Sequence, residues 1–506
     1  MNFSKSTVIL TIINFFSRII GYLRDVVLAS FLGTGVYADI YAISYGIPLY
    51  IRAILFEGTF NAAYIPTLNS IKNSEDRNFF FSQLLFIFLL FFIPLTILLE
   101  IFMPSVLAFL VPGFINLPEF ELATLIARIT TPYMIFMVII AFLVAALNQN
   151  FLFRAAALIH IIMNLVIILA LFFSINSDHL PIKYVAWGLI VSGVLQTVFL
   201  LYNLNTSFLL NSIQVKKFLN GKILIFFNLL WPGLIIYGLP IFNRYVGNWF
   251  ASNESGGLSY LYYGERVFYI PITIIALSMS TVLLPYISES LRQKDHTTAL
   301  KYQKLAYKYT ILFILPASFS MFLLSENIIE ILFQRGLFNE VSTYNTAIVL
   351  KALAFAMPAS ALNLILLPYF FSSNKLNWIL IYSILISALN FILTYILFDN
   401  YGFIVIPIIF TLTSWIFLIL TILTMYKYNF KIYTPDIIKC TYTYLLCSIG
   451  IFVYIYFLKI LFSKVYIVEL FLIIISSVLI YFCLILLFDK KVLKDFLIST
   501  SNDNKF

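Results

Sequence analysis

Three arginines and three carboxylates lie within the first two hydrophobic segments of this chain. They are Arg18, Arg24, Arg52, Asp25, Asp39 and Glu57. Burying a charged side chain in lipid costs about 3 kcal/mol even on lenient insertion scales, so intramembrane charges usually face a water-filled cavity. Guanidinium groups bind carboxylate and phosphate oxygens through paired hydrogen bonds. The sequence therefore predicts a cavity that binds an anion.

The spacing of these residues limits which of them share a helix face. Residues seven positions apart, such as Arg18 and Asp25, return to one face, whereas residues six apart diverge by about 120°. Arg24 therefore points elsewhere, although Gly21 permits a bend or a close approach that could turn both arginines into one cavity. A simpler alternative is that Arg18 pairs with Asp25, or Arg24 with Asp39, only to neutralise buried charge.

A second charged set lies further along the chain. It consists of Arg244, Glu265 and Arg266. Arg24 precedes Pro66 by 42 residues, and Arg244 precedes Pro285 by 41. This similar spacing indicates two repeated halves, an arrangement in which transporters commonly place a binding site between the halves.

The elements that must position these residues are membrane helices. The 506 residues are 62% hydrophobic and only 10% charged, with a mean hydropathy of +1.00. A soluble protein of ordinary composition has about 25% charged residues, so this chain is predicted to be an all-α integral membrane protein. Its three cysteines form no close pair, and no metal site or catalytic set is predicted.

Because a helix needs about 20 apolar residues to cross the bilayer, polar, proline and glycine positions divide the chain into fourteen predicted spans. They are 7–32, 36–69, 79–103, 121–148, 155–175, 184–205, 222–251, 258–289, 304–333, 343–371, 376–398, 402–427, 439–461 and 466–488.

The distribution of Lys and Arg between the loops predicts the orientation of the chain. With the N-terminus inside, cytoplasmic segments carry twenty cations, whereas the outer loops carry only Lys183, Arg335 and Lys464. By the positive-inside rule, both termini are expected in the cytoplasm. The same loops account for the net charge of +9, so the charge does not indicate a nucleic-acid partner.

Several motifs, taken in order, resemble the MurJ (MviN) family of bacterial lipid II flippases. They are SRIIGYLRD at 17–25, Asp39, IPLYIR ending at Arg52, EGTFNAAYIPTL at 57–68, and YYGER followed by LLPYIS. The likeness extends in order over about the first 290 residues, and the fourteen predicted spans carry it across the rest. The family belongs to the multidrug/oligosaccharidyl-lipid/polysaccharide exporter superfamily, whose members have two six-helix lobes around a central cavity.

The resemblance implies a flippase of the bacterial inner membrane that moves lipid II for peptidoglycan biosynthesis and thereby supports cell shape. It implies lobes at 1–206 and 207–430, and a region at 431–506 with two extra helices that form a lipid-tail groove. Arg18, Arg24, Arg52 and Arg266 would bind the pyrophosphate. The charge partners or gating residues would be Asp25, Asp39, Glu57 and Glu265. Alternating access by a monomer, without a cofactor, is expected.

The chain departs from the family at two places. Gly46, Ile47, Pro48 and Leu49 stand where Lys-Leu-Pro-Asn is common, and one arginine follows where two are frequent. Some relatives resemble sodium-coupled carriers with acidic residues in the seventh and eleventh helices. The uncharged candidates for such an ion site here are Asn243, Asn248, Asn390, Thr394 and Thr411. Coupling to sodium, to protons or to the membrane potential therefore stays open.

Two other functions compete with lipid II transport. An exporter of drugs or sugar-linked lipids from the same superfamily would share the fold, but an exporter of cationic drugs should have an excess of acids in its cavity. A polyprenyl-phosphate enzyme would also use arginines, yet it would need converging catalytic groups at a water interface. The arginine excess inside the helices favours the flippase.

Overall fold

Within the residues that the structure describes, the fold consists of helices. A computed structural model describes residues 3–55, 59–71, 73–149, 152–177, 179–204, 220–373, 375–461 and 466–488, and no strand occurs among them. In chain order the helices are α1 Phe3–Leu32, α2 Val36–Leu55, α3 Thr59–Asn69, α4 Ser74–Leu110, α5 Phe120–Thr130, α6 Tyr133–Gln149, α7 Phe153–Phe173, α8 Pro181–Asn203, α9 Asn220–Ala251, α10 Gly257–Pro271, α11 Ser278–Arg292, α12 His296–Phe333, α13 Glu340–Ala354, α14 Met357–Ser372, α15 Leu376–Tyr401, α16 Val405–Lys427, α17 Pro435–Leu461 and α18 Ile467–Phe488.

These helices confirm the all-α membrane fold predicted from composition. In the part of the chain that the structure describes, nine segments are long and apolar enough to cross a membrane, or ten when the bent pair of α13 and α14 is counted as one span. The helices begin and end near the fourteen predicted spans, several of which contain two helices separated by a break. The count of fourteen itself stays a prediction.

Breaks within spans occur where proline or a change of helix type interrupts the backbone hydrogen bonds. The axes of α13 and α14 differ by 50°, and Pro358 lies in the first turn after this break. A π-helical turn at Ile272–Leu277 joins α10 to α11 immediately after Pro271. Proline and π-turns are the usual causes of such bends.

Contacts divide the chain into two compact units. Unit 1 comprises Met1–Ser259 with Arg335–Asn339, and unit 2 comprises Tyr260–Gln334 with Glu340–Phe506. Helix α9 therefore belongs to unit 1, and the last two helices belong to unit 2. The lobe boundaries expected at 206/207 and 430/431 stay predictions.

The core of unit 1 is rich in aromatic side chains. Phe60 lies 4.8 Å from Phe142 and 5.7 Å from Phe226, measured between ring centroids. Phe88 approaches the same two rings, so α3, α4, α6 and α9 meet at one cluster. Edge-to-face aromatic pairs add about 1 kcal/mol each beyond their buried area, which fixes these helices against one another.

The core of unit 2 is organised around the long helix α12. Asp295 caps the N-terminus of this helix, because its carboxylate accepts a hydrogen bond from the Thr298 N–H at 3.0 Å. Hydrogen bonds from Thr297 and Thr298 also lower the pKa of this carboxyl group. Further along, the Tyr481 hydroxyl of α18 donates to the Leu312 carbonyl at 2.7 Å. The two C-terminal helices thus join the bundle through α12.

Candidate functional site

Arg24 of α1 is a deeply buried cation, with 3% of its surface exposed. Its Nη2 lies 2.7 Å from Asp25 Oδ1, and its Nε donates to the same oxygen at 3.1 Å. Its Nη1 donates at 2.9 Å both to the Tyr45 hydroxyl and to Asn164 Oδ1. The guanidinium therefore joins α1 to α2 and α7.

This ion pair is neither of the two considered from residue spacing, Arg18–Asp25 and Arg24–Asp39. Asp25 instead pairs with its chain neighbour Arg24. Adjacent residues on a helix diverge by about 100°, but a long arginine side chain can curl across that angle. Gly21 serves as a close-approach site, since a Cβ there would lie 3.1 Å from Asn164 Nδ2. The glycine leaves room for the amide that accepts from Arg24.

The polar network continues away from Arg24 into the interior of unit 1. The hydroxyls of Tyr45 and Tyr133 both approach the Met163 sulfur, at 3.7 and 3.5 Å. Tyr133 also donates to Gln196 Oε1 at 3.0 Å, and the Gln196 amide donates to the Ile159 carbonyl at 2.7 Å. Five helices are thereby linked by buried hydrogen bonds, each of which would be costly to leave unmade.

The other arginines of unit 1 are less enclosed. Arg18 is exposed and Arg52 is half-buried. Arg244 of α9 lies with its guanidinium carbon 5.8 Å from the ring centroid of Tyr50 on α2, and Tyr245 packs edge-on against the same ring. Arg18 in particular presents a guanidinium that a ligand could reach.

A second polar site, the Asp39 clasp, lies at the turn between α1 and α2. Asp39 is fully buried, and its two carboxylate oxygens accept from the N–H groups of Gly256 and Ser259, both at 2.7 Å. The Gly35 N–H donates to the Ser259 hydroxyl at 3.3 Å. Because these N–H groups lie at the start of α10, the carboxylate satisfies orphan donors and also meets the positive end of the helix dipole.

Two glycines allow two backbone segments at the same end of unit 1 to lie in close contact. Leu337 N–H donates to the Ser30 carbonyl at 2.9 Å. Gly33 has φ +63° and a Cβ there would lie 2.6 Å from the Leu337 carbonyl oxygen, whereas Gly336 has φ +59° and a Cβ there would overlap the Ser30 carbonyl. Only glycine combines this backbone conformation with such close approach.

The predicted charged site residues of unit 2 lie on α10. Arg266 is exposed, its guanidinium carbon lies 5.0 Å from the Tyr262 ring centroid, and its Nη2 donates to the Tyr262 hydroxyl at 3.1 Å. Glu265 is half-buried beside it. Tyrosine four residues earlier thus holds the arginine through both its ring and its hydroxyl.

Two of the uncharged residues of the candidate ion site hydrogen-bond to groups on neighbouring helices. Asn390 accepts from the Thr413 hydroxyl at 3.1 Å, and Thr411 donates to the Ala352 carbonyl at 2.9 Å. Thr394 is buried on α15, and Asn243 is half-buried on α9. Within the described ranges, no group of three or more His, Cys, Asp or Glu residues could hold a metal ion. The ion site stays a prediction.

Of the predicted site residues, Glu57 lies outside the described residues. The structure brings Arg24 and Asp25 together, and it places Asp39 against the backbone of α10. Sequence reasoning missed Tyr45, Asn164 and Gln196, the partners of the buried network. Asn164 and Gln196 could have been identified as amides within apolar helices, because a buried polar group without a hydrogen-bond partner is costly there.

Comparisons of the sequence with known proteins identify one family. The family model described as the lipid II flippase MurJ matches residues 28–477. The probable lipid II flippase MurJ of Rickettsia prowazekii (strain Madrid E) is 32% identical over 385 residues, which are 74% of each chain. The corresponding protein of Rhizobium tropici is 30% identical over 365 residues, covering 70% of this chain and 68% of the relative.

Solved structures show the same fold. A lipid II flippase MurJ in an inward closed conformation superposes with a TM-score of 0.82 at 24% identity, covering 96% of this chain and 100% of the other. A multidrug resistance transporter of the MATE family, from the MOP superfamily, in an inward-facing conformation superposes with a TM-score of 0.69 at 15% identity, covering 82% and 95%.

Proposed function

Because the chain belongs to the family of the lipid II flippase MurJ, we propose that it moves lipid II from the inner to the outer leaflet of the bacterial cytoplasmic membrane. The family consists of transporters, so the chain is a multi-pass membrane transporter and not an enzyme. The match over residues 28–477 is the observation that carries the choice of substrate.

The chemistry of lipid II accords with the arginines of the chain. Its pyrophosphate is a compact anion, and its polyprenyl tail stays in the membrane while the headgroup crosses. Arg18 and Arg266 have exposed guanidiniums, and Arg52 is half-buried. We assign pyrophosphate binding to Arg18 and Arg52 on unit 1 and to Arg266 on unit 2, each considered by itself, because a guanidinium forms paired hydrogen bonds with phosphate oxygens.

Arg24 takes a different role in this proposal. Asp25, Tyr45 and Asn164 already occupy its guanidinium, and the residue is buried. Releasing it to a ligand would leave the Asp25 carboxylate buried without its cation, which is costly. Arg24 therefore positions α1 against α2 and α7, so that Arg18, on the same helix, is held in place.

Alternating access requires an end of the transporter that opens and closes. The Asp39 clasp and the Ser30–Leu337 backbone bond support this role, since they gather three separate chain segments at one end of unit 1. With both termini in the cytoplasm, as the loop charges predict, this end faces outward. Opening it would release lipid II to the outer leaflet.

Complementation tests the proposal directly. A bacterial host is depleted of its own flippase, this chain is expressed, and lipid II in the outer leaflet is measured. We expect the chain to restore outer-leaflet lipid II and cell shape. An Arg18→Ala, Arg266→Ala double variant, expressed and inserted equally well, is the matched control and should not. Correct insertion of the unaltered chain without any rescue would contradict the proposal.

A further inference from the structure

Helix α10 has one face that is buried within unit 2 and an opposite face that is more open. Four residues of the buried face recur at helical spacing. They are Tyr263, Gly264, Val267 and Phe268. Tyr262 and Arg266 lie four residues apart on the opposite face, where Tyr262 is half-buried and Arg266 is exposed. The two adjacent tyrosines of the motif YYGER therefore have different surroundings.

The buried face fixes the rotation of α10 against its neighbours. The ring centroid of Tyr263 lies 5.2 Å from that of Phe333 on α12. A Cβ at Gly264 would lie only 2.7 Å from Cγ1 of Val349, so the glycine lets α10 approach α13 closely. Because these contacts hold one side of the helix, they also set the direction in which the opposite side faces.

On that opposite face, Tyr262 restrains the side chain of Arg266 in two ways. Arg266 Nη2 donates to the Tyr262 hydroxyl at 3.1 Å, and the guanidinium carbon lies 5.0 Å from the ring centroid. A cation–π contact at an exposed site and an ordinary hydrogen bond each contribute about 1 kcal/mol. Together they are comparable with the rotamer entropy of an arginine side chain, which is about 2 kcal/mol.

The contact with Tyr262 orients the guanidinium without cancelling its charge. A tyrosine phenol is neutral at physiological pH, whereas the carboxylate of Asp25 neutralises Arg24 in unit 1. One hydrogen bond to the phenol occupies one of the five N–H donors of an arginine. It is therefore compatible with paired hydrogen bonds from Arg266 to phosphate oxygens.

We propose that Tyr262 is a positioning residue for lipid II transport, because it orders the guanidinium of Arg266 before the pyrophosphate binds. This inference rests on the proposed function and adds a residue to it. A side chain that is ordered in advance loses less conformational freedom when the ligand binds, which strengthens binding without a further contact to the ligand. Tyr263, by contrast, holds α10 within unit 2.

Lipid II binding to the full chain in detergent, measured by native mass spectrometry, tests this role. Undecaprenol, which has the polyprenyl tail but no pyrophosphate, is the comparison ligand. Tyr262→Phe keeps the ring and removes the hydroxyl, so it should weaken lipid II binding about fivefold. Tyr262→Leu also removes the ring and should weaken it about fifteenfold. Neither variant should alter the binding of undecaprenol.

A double variant tests whether Tyr262 acts through the arginine. In the Arg266→Ala background, Tyr262→Phe should cause no further loss of lipid II binding, because the hydroxyl has no guanidinium to hold. Tyr395→Phe, which removes an exposed hydroxyl from α15, is the matched control and should bind lipid II normally. Thermal unfolding should be unchanged in Tyr262→Phe but should occur at a lower temperature in Tyr263→Ala, which removes a buried ring.

Two results would overturn the inference alone. One is lipid II binding that Arg266→Ala weakens and Tyr262→Phe leaves unchanged, and the other is an equal effect of Tyr262→Phe with and without Arg266. Unchanged lipid II binding in Arg266→Ala would contradict both the inference and the assignment of that arginine. Equal binding of lipid II and undecaprenol by the unaltered chain would contradict pyrophosphate recognition in the proposed function, and this inference with it.

Discussion

Arg24 and Arg18 belong to the same helix, but their surroundings give them different roles. The guanidinium of Arg24 is divided among a carboxylate, a phenol and an amide inside unit 1. Arg18, less than two turns earlier, is exposed. A cation that is already neutralised contributes to stability and position, whereas an exposed one is available to an anionic ligand.

Stability measurements separate these two roles. Arg24→Ala should lower the free energy of unfolding by about 3–5 kcal/mol, because it leaves a buried carboxylate without its cation. Arg18→Ala, the control on the same helix, should change it by no more than about 0.5 kcal/mol. Chemical unfolding in detergent measures both values. Equal stability of the two variants would show that the Arg24 network does not hold the helices.

Replacing the proposed binding arginines by lysine tests whether binding needs the planar guanidinium and not only its positive charge. Arg18→Lys and Arg266→Lys keep the charge but lose the planar fork that binds two phosphate oxygens. Each should lower lipid II transport about tenfold, the effect of losing one charge-assisted hydrogen bond. Lipid II exposure on the outer leaflet reports the rate, with Arg128→Lys as an exposed arginine control. Normal transport by both variants would remove these residues from the pyrophosphate site.

At the scale of elements, the start of α10 depends on a side chain from α2. The Asp39 carboxylate satisfies two backbone N–H groups there and faces the positive end of the helix dipole. A change in this carboxylate should therefore alter how firmly the backbone at Gly256 and Ser259 is held within unit 1.

Hydrogen exchange tests the Asp39 clasp. Asp39→Ala leaves the Gly256 and Ser259 N–H groups without their acceptor, so their exchange should become faster than in the unaltered chain. The expected loss is about 1–3 kcal/mol for each unsatisfied donor. Asp76→Ala, which removes an exposed carboxylate from α4, should leave exchange at 256–259 unchanged. Unaltered protection in Asp39→Ala would mean that the carboxylate does not hold this end.

The glycine pair at the same end allows an independent test of the backbone contact. Gly336→Ala should destabilise the chain, because alanine is strained at φ +59° and its Cβ would overlap the Ser30 carbonyl. Gly221→Ala places a Cβ in open space within a helix and should be neutral or slightly stabilising. Thermal unfolding compares the two. A neutral Gly336→Ala would show that the contact between 335–339 and α1 is loose.

At the scale of the whole molecule, topology decides which leaflet each site faces. The positive-inside rule predicts that the loop before α5 is outside and that the loop before α12 is inside. In a variant without the three native cysteines, Glu119→Cys should react with a membrane-impermeant maleimide in intact cells. Gln293→Cys should react only after the cells are opened. The reverse pattern would invert the direction of the proposed transport.

The sequence alone determined the class of protein, the approximate helix positions and the presence of charge inside the membrane. Hydropathy and proline position are local properties, so spans such as 79–103 and 439–461 could be read without knowing their neighbours. Family resemblance then supplied the substrate class, which the family match supports.

Only the tertiary structure decided which groups meet. Arg24 reaches Asn164 across 140 positions of the chain, and Asp39 reaches Ser259 across 220. Spacing along one helix cannot predict such partners, because they depend on how separate helices pack and rotate. For the same reason, only the packing of α12 against α13 shows that the Lys351 ammonium lies 4.9 Å from the ring centroid of Phe322.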